Sequence, residues 1–154
     1  MVSILIVYHS QTGNTEKMAE EVRAGVAKME NTEVTLKKAN EASLEDLLGC
    51  DGLIIGTPEN FGYMSGAVKD FFDRTFYPAE GKAFRKPYVV FISAGNDGTG
   101  ALNSIERIAL GYQFKKVYDP VIARKSTGGV TDEILAQCLE LGQTIAGGLQ
   151  AGIY

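Results

Sequence analysis

Apolar positions along the chain follow two alternating rhythms. Val2-Ser-Ile-Leu-Ile-Val-Tyr8, Gly52-Leu-Ile-Ile-Gly56 and Tyr88-Val-Val-Phe-Ile92 are short and nearly continuous, the pattern of strands covered on both faces. Val34 and Leu36 add a short second strand, and a fifth is expected within Lys116–Ile122, where Asp119-Pro120 interrupts the run. Between them the period lengthens. Met18, Val22, Val26 and Met29 share one face of a helix over Thr15–Met29. Leu44, Leu47 and Leu48 mark a short helix that Ser43 and Asp46 can cap reciprocally. Ser65–Arg74 and Ala101–Leu110 read as two more helices, with Pro78 and Gly81 just beyond the former. Ile134, Leu135, Cys138, Leu141 and Ile145 mark a last, long one.

The order is strand, helix, five times over. Such alternation makes a parallel sheet with helices on both faces. The expected architecture is an α/β, three-layer, doubly wound, five-stranded sheet of order 2-1-3-4-5. In that order, ligands sit beyond the carboxyl ends of the strands, where the strand order reverses. The loops there follow strands one, three and four. They span residues 9–15, 57–63 and 93–100, and they are rich in Gly and polar residues.

Composition narrows the classes. A chain of 154 residues suits one domain, 1–154, with one sizeable core. No apolar run approaches the ~20 residues of a membrane span, and Val2–Tyr8 lacks the basic flank of a signal peptide. Net charge is -4 without a basic cluster, which disfavours nucleic acid. Cys50 and Cys138 have no metal-ligand spacing and read as reduced core thiols of a cytoplasmic protein. Gly is abundant, at 18 residues, and Trp is absent.

Ser10-Gln-Thr-Gly-Asn-Thr15 carries the first chemistry. It follows strand one and opens helix one. Ser10, Thr12 and Thr15 offer hydroxyls, Asn14 an amide, and Gly13 a tight turn. Backbone N–H groups and the helix N-terminus would favour an anion there. The loop has neither three spaced glycines nor a G-K-[ST] end, so it is neither a dinucleotide fingerprint nor a P-loop. It also holds no Lys or Arg, so a terminal phosphate is expected to be held by neutral donors alone. His9, the single His, reads as packing at the end of strand one.

Val7-Tyr-His-Ser-Gln-Thr-Gly-Asn-Thr-Glu-Lys-Met-Ala19 resembles the flavodoxin phosphate-binding signature. Pro58-Glu-Asn-Phe-Gly-Tyr-Met-Ser-Gly-Ala-Val-Lys-Asp-Phe-Phe-Asp73 is similar to flavodoxin-like quinone reductases of the tryptophan-repressor-binding-protein type and to FMN reductases. The resemblance covers essentially the whole chain and implies FMN as cofactor. It places Ser10, Gln11, Thr12, Gly13, Asn14 and Thr15 at the phosphate. It places Thr57, Pro58, Glu59, Asn60, Phe61, Gly62 and Tyr63 along the flavin ring. Ser93, Ala94, Gly95, Asn96, Asp97 and Gly98 would approach the pyrimidine and ribityl side. Gly56, Gly62, Gly95 and Gly98 would let backbone come close to the ring.

The third loop has no aromatic residue, and electron-carrier flavodoxins commonly sandwich the ring between aromatics. One ring face is therefore expected to be open. No catalytic side chain and no metal site is implied, since the flavin carries the electrons. Two roles remain. The favoured one is an FMN-binding redox protein that passes electrons to a partner protein or to a small acceptor such as a quinone. The alternative is an NAD(P)H-dependent quinone or FMN oxidoreductase, with Arg74, Lys82, Arg85 and Lys86 as candidate contacts for the phosphates of the nicotinamide cofactor. A homodimer is compatible with either.

Overall fold

The computed structural model describes residues 1–83 and 85–154. Its elements are β1 (Val2–Tyr8), α1 (Asn14–Ala27), β2 (Thr32–Lys38), α2 (Leu44–Gly49), β3 (Gly52–Pro58), α3 (Gly66–Ala79), β4 (Pro87–Ala94), α4 (Thr99–Tyr112), β5 (Lys115–Lys116), β6 (Val121–Arg124) and α5 (Asp132–Gln150). The described strands all pair in parallel, in the order β2-β1-β3-β4, with β5 and β6 both beside β4. The doubly wound order expected from the sequence is the order observed.

The continuous apolar strands have a simple cause: each strand buries both of its faces. Leu5, Val7, Leu53, Ile55, Val90 and Ile92 pack with Leu47, Val68, Phe71, Phe72 and Ile105 beneath α2, α3 and α4. Ile4, Ile6, Tyr8, Ile54, Val89 and Phe91 face the other way, toward Met18, Val22, Val26, Cys138, Leu141 and Ile145 of α1 and α5. The two thiols are buried and unpaired, as expected of core cysteines. Among the described residues, no helix is long and apolar enough to cross a membrane.

The fifth strand differs from expectation. It is two pieces rather than one. From Tyr88–Lys116 to Phe91–Val121, β4 advances three residues while its neighbour advances five. Asp119-Pro120 lies in that surplus, where Pro120 has no N–H to give the ladder. Pairing then resumes for Val121–Arg124, which carries the strand to the same edge as β4.

α3 also runs one turn past the Arg74 end expected from Pro78. Phe71, Phe72 and Thr75 are buried on its inner face, and the Thr75 hydroxyl lies 2.6 Å from the Tyr112 hydroxyl. Packing against α4 thus outweighs the weak backbone position of Pro78 in the final turn.

Some glycines serve packing between elements. A methyl at Gly25 would strike the backbone of α5, and one at Gly142 would strike α1. These two glycines let α1 and α5 lie unusually close. Gly56 makes room for the Phe91 ring.

Candidate functional site

The loops after β1, β3 and β4 meet at the carboxyl edge of the sheet. They enclose a cavity of about 540 Å³, within the ordinary range for small-molecule sites. Gln11, Thr12 and Asn14 line it from the first loop, Pro58, Glu59 and Asn60 from the second, and Ser93, Ala94 and Gly95 from the third. A fourth wall comes from Ala123 within β6 and from Lys125, Gly128, Gly129 and Val130 after it.

The first loop is built around Gly13, whose φ of 98° turns the chain into α1. Ser10 Oγ accepts from the N–H groups of Gly13 and Glu16, each at 3.2 Å. It therefore takes two of the donors that the helix start leaves open. Among the described residues no protein acceptor meets the N–H groups of Gln11, Thr12, Asn14 or Thr15. Those donors, together with the Thr12 hydroxyl and the Asn14 amide, suit an oxyanion. Thr15 has a different role. It is buried, and its Oγ1 lies 2.8 Å from Ser93 Oγ, joining the first loop to the end of β4.

The second loop is a stiff hairpin. Asn60 and Tyr63 exchange backbone hydrogen bonds of 2.9 and 3.0 Å, with Phe61 and Gly62 at the tip. Both tip residues have positive φ, 53° and 69°, as a type I′ turn demands. Phe61 thus holds a backbone conformation that costs a bulky residue about 1 kcal/mol, and its ring is fully exposed. Tyr63 is exposed beside it. The foot of the hairpin is fixed by Thr57, whose buried Oγ1 accepts from Ser65 N–H at 2.9 Å. Ser65 Oγ in turn caps α3 by accepting from Val68 N–H at 3.4 Å.

Glu59 binds the second loop to the third. Its carboxylate accepts from Gly98 N–H at 3.3 Å and from Ala101 N–H at 3.1 Å. An acidic group at that place complements the positive end of α4. Gly100 allows the hairpin to press in, because a methyl there would strike the backbone of Gly62. Asp97 is turned outward, with Oδ1 accepting from Thr99 N–H at 3.0 Å. That N–H holds the Asp97 carboxyl below its ordinary value, and nearby Arg124 adds to the effect. Arg124 Nε also donates to the Asp97 carbonyl at 2.7 Å.

Nine of the nineteen residues named from the sequence line the cavity: Gln11, Thr12, Asn14, Pro58, Glu59, Asn60, Ser93, Ala94 and Gly95. Ser10, Gly13, Thr15 and Thr57 shape the loops, as do Asp97 and Gly98. Phe61, Gly62, Tyr63 and Asn96 stand exposed outside the lining. Sequence reasoning missed the fourth wall. The signal was Gly128-Gly129 just before the last helix, at the same sheet edge as the other loops. His9 donates its backbone N–H to Gly56, and its Nδ1 is buried with no partner among the described residues.

Two of the four proposed nicotinamide contacts are engaged elsewhere. Arg74 bonds Asp70 and the carbonyls of Ala39 and Ala42, and Lys86 Nζ donates to the Cys50 carbonyl. Lys82, Arg85 and Lys86 precede β4, at the edge of the sheet opposite the cavity.

The sequence profile of the NADPH-dependent FMN reductase family matches residues 26–119, which include the second and third loops. The chain belongs to this family. A flavodoxin of Aquifex aeolicus (strain VF5) is 43% identical over 100 residues, covering 65% of this chain and 54% of that protein. The chain thus spans about half the length of that curated relative. Among solved structures, a flavodoxin from the domain Archaea superposes with a TM-score of 0.82 at 22% identity, over 97% of this chain and 99% of that one. A WrbA-like flavodoxin from Agrobacterium tumefaciens gives 0.80 at 22% identity, over 98% and 99%. At such identities these two establish the flavodoxin-like fold of this family member.

Proposed function

We propose that residues 1–154 form one FMN-binding unit that transfers electrons through the non-covalent flavin. The observation that carries this reading is the meeting of three loops on one cavity at the switch point of the sheet. The donor set fits the cofactor. Neutral N–H and hydroxyl groups at the start of α1 suit the phosphate. Pro58, Ala94 and Gly95 offer flat apolar or bare backbone surface, and Asn60 a polar edge, for the ring. FMN, when bound, supplies the electron-transfer chemistry. The chain's own part is to bind the phosphate, orient the ring and keep one face of it accessible. No aromatic residue lines the third loop, so an acceptor can approach from that side.

The electron acceptor is a redox partner protein or a small molecule such as a quinone, in the cytoplasm, where the buried thiols would stay reduced. A second reading is NADPH-dependent reduction of such an acceptor, and membership of the FMN reductase family favours it. Fluorescence titration tests the central reading. FMN emission should be quenched at one equivalent per chain. Emission unchanged by excess protein would refute it.

A further inference from the structure

The phosphate loop contains no cation, yet the cavity does. Among the described residues that line it, Lys125 is the single basic side chain. We propose that Lys125 is a cofactor-binding residue, its ammonium group offsetting the charge of the phosphate that the first loop holds. This inference rests on the FMN reading above.

The fold brings Lys125 into the cavity that the first loop also lines. α1 and α5 lie on the same face of the sheet, in backbone contact at Gly25 and Gly142. The loops that open these helices are therefore neighbours. The second and third loops instead open α3 and α4, on the opposite face. Lys125 starts the loop that opens α5; Arg124 before it adjoins the third loop, pairing with Ala94 and bonding the Asp97 carbonyl, while the first loop lines the same cavity as Lys125.

The local backbone makes the side chain the group on offer. Lys125–Thr127 form a single 3₁₀ turn. Gly128 N–H donates to the Lys125 carbonyl at 3.1 Å, and Gly129 N–H to the Arg124 carbonyl at 2.8 Å. Positive φ values of 102° and 72° at these glycines close the turn tightly. The N–H groups of both glycines are thus used internally. Lys125 has no carboxylate partner among the described residues. Glu59, the acidic residue of the lining, is already engaged by two N–H groups of the third loop and α4.

The charge balance points the same way. A phosphate monoester carries roughly -1.5 to -2 charges at neutral pH. A helix N-terminus supplies only about half a positive charge. An unpaired lysine across the cavity offsets much of the remainder without first breaking an ion pair.

The test compares FMN with riboflavin, which lacks the phosphate, on the wild type, Lys125→Gln and Lys125→Arg. Lys125→Gln should lose about tenfold in FMN affinity, the size of one charge-assisted contact. Its riboflavin affinity should be unchanged, which also shows that the site is folded. Lys125→Arg should keep most of the FMN affinity. The difference between wild type and Lys125→Gln should shrink as salt rises. Equal FMN affinity in the wild type and Lys125→Gln would overturn the inference, as would parallel losses of FMN and riboflavin. A wild type that binds neither flavin would instead overturn the FMN reading itself.

Discussion

Thr15 and Ser93 meet through their hydroxyls at 2.8 Å across the mouth of the sheet, 78 residues apart in sequence. This contact joins the start of α1 to the carboxyl end of β4. It makes Thr15 a loop-positioning residue, since its side chain is buried away from the cavity. Thr15→Val should therefore weaken FMN and riboflavin to similar degrees and cost about 1 kcal/mol of stability. Thr12→Ala should weaken FMN alone, because Thr12 lines the cavity beside the open N–H groups. Titration of both flavins against both variants checks the distinction. Stability of Thr15→Val, Ser93→Ala and their double mutant should be non-additive.

Glu59 should matter more for order than for contact. Its carboxylate satisfies Gly98 and Ala101 at the start of α4. Glu59→Ala leaves those N–H groups without that partner and should lower stability by roughly 1 kcal/mol. Thermal unfolding measures the loss. Hydrogen exchange should show faster opening at residues 95–101 than at β4.

Phe61 offers a trade between stability and binding. Phe61→Gly removes a side chain from a left-handed position and should stabilise the flavin-free protein by about 0.5–1 kcal/mol. The same change removes the exposed ring at the tip of the second loop and should weaken FMN binding. A variant that gains thermal stability yet loses flavin affinity would show that the strain serves the site.

Acid should loosen the β2–α2 corner. Burial raises the tendency of Asp46 to stay neutral, but the Lys37 ammonium at 2.8 Å and the Ser43 N–H and hydroxyl prevail. Its carboxyl is therefore held below its ordinary value of 3.8. A carboxyl with a lowered folded pKa contributes stability that is present above the unfolded pKa. That contribution is lost as pH falls through the folded value. Asp97, fully exposed and lowered by the Thr99 N–H, acts with the same sign. Asp46→Asn should be less stable than wild type near neutrality, with the gap closing below about pH 4. Denaturant titrations across the acid range would show it.

Much of this was legible in the chain. Nearly continuous strands such as Leu53–Ile55 mean two buried faces, so the layer order followed. The Ser43–Asp46 capping box formed as read, because its partners lie within one turn. Contacts set by the tertiary fold were not legible. No local pattern shows that Thr15 meets Ser93 or that Glu59 reaches α4. The break at Asp119-Pro120 was visible, but not that pairing runs on to Arg124 and carries Lys125 to the cavity. Lys82, Arg85 and Lys86 looked available as charges until the sheet set them at the opposite edge.

The placement of those basic residues bears on the NADPH reading. If the nicotinamide cofactor relied on them, Lys82→Ala with Arg85→Ala would raise the KM for NADPH. The geometry predicts no change, whatever the turnover of the flavin-loaded protein with NADPH and a quinone.

The central claim is that FMN lies in the cavity at the carboxyl edge of the sheet. Amide chemical-shift mapping during titration to one equivalent of FMN tests it most directly. The account predicts the largest shifts in residues 10–15, 58–63 and 93–98, with further shifts at 125–130. Shifts confined to residues outside these loops, or no shifts at all, would contradict it.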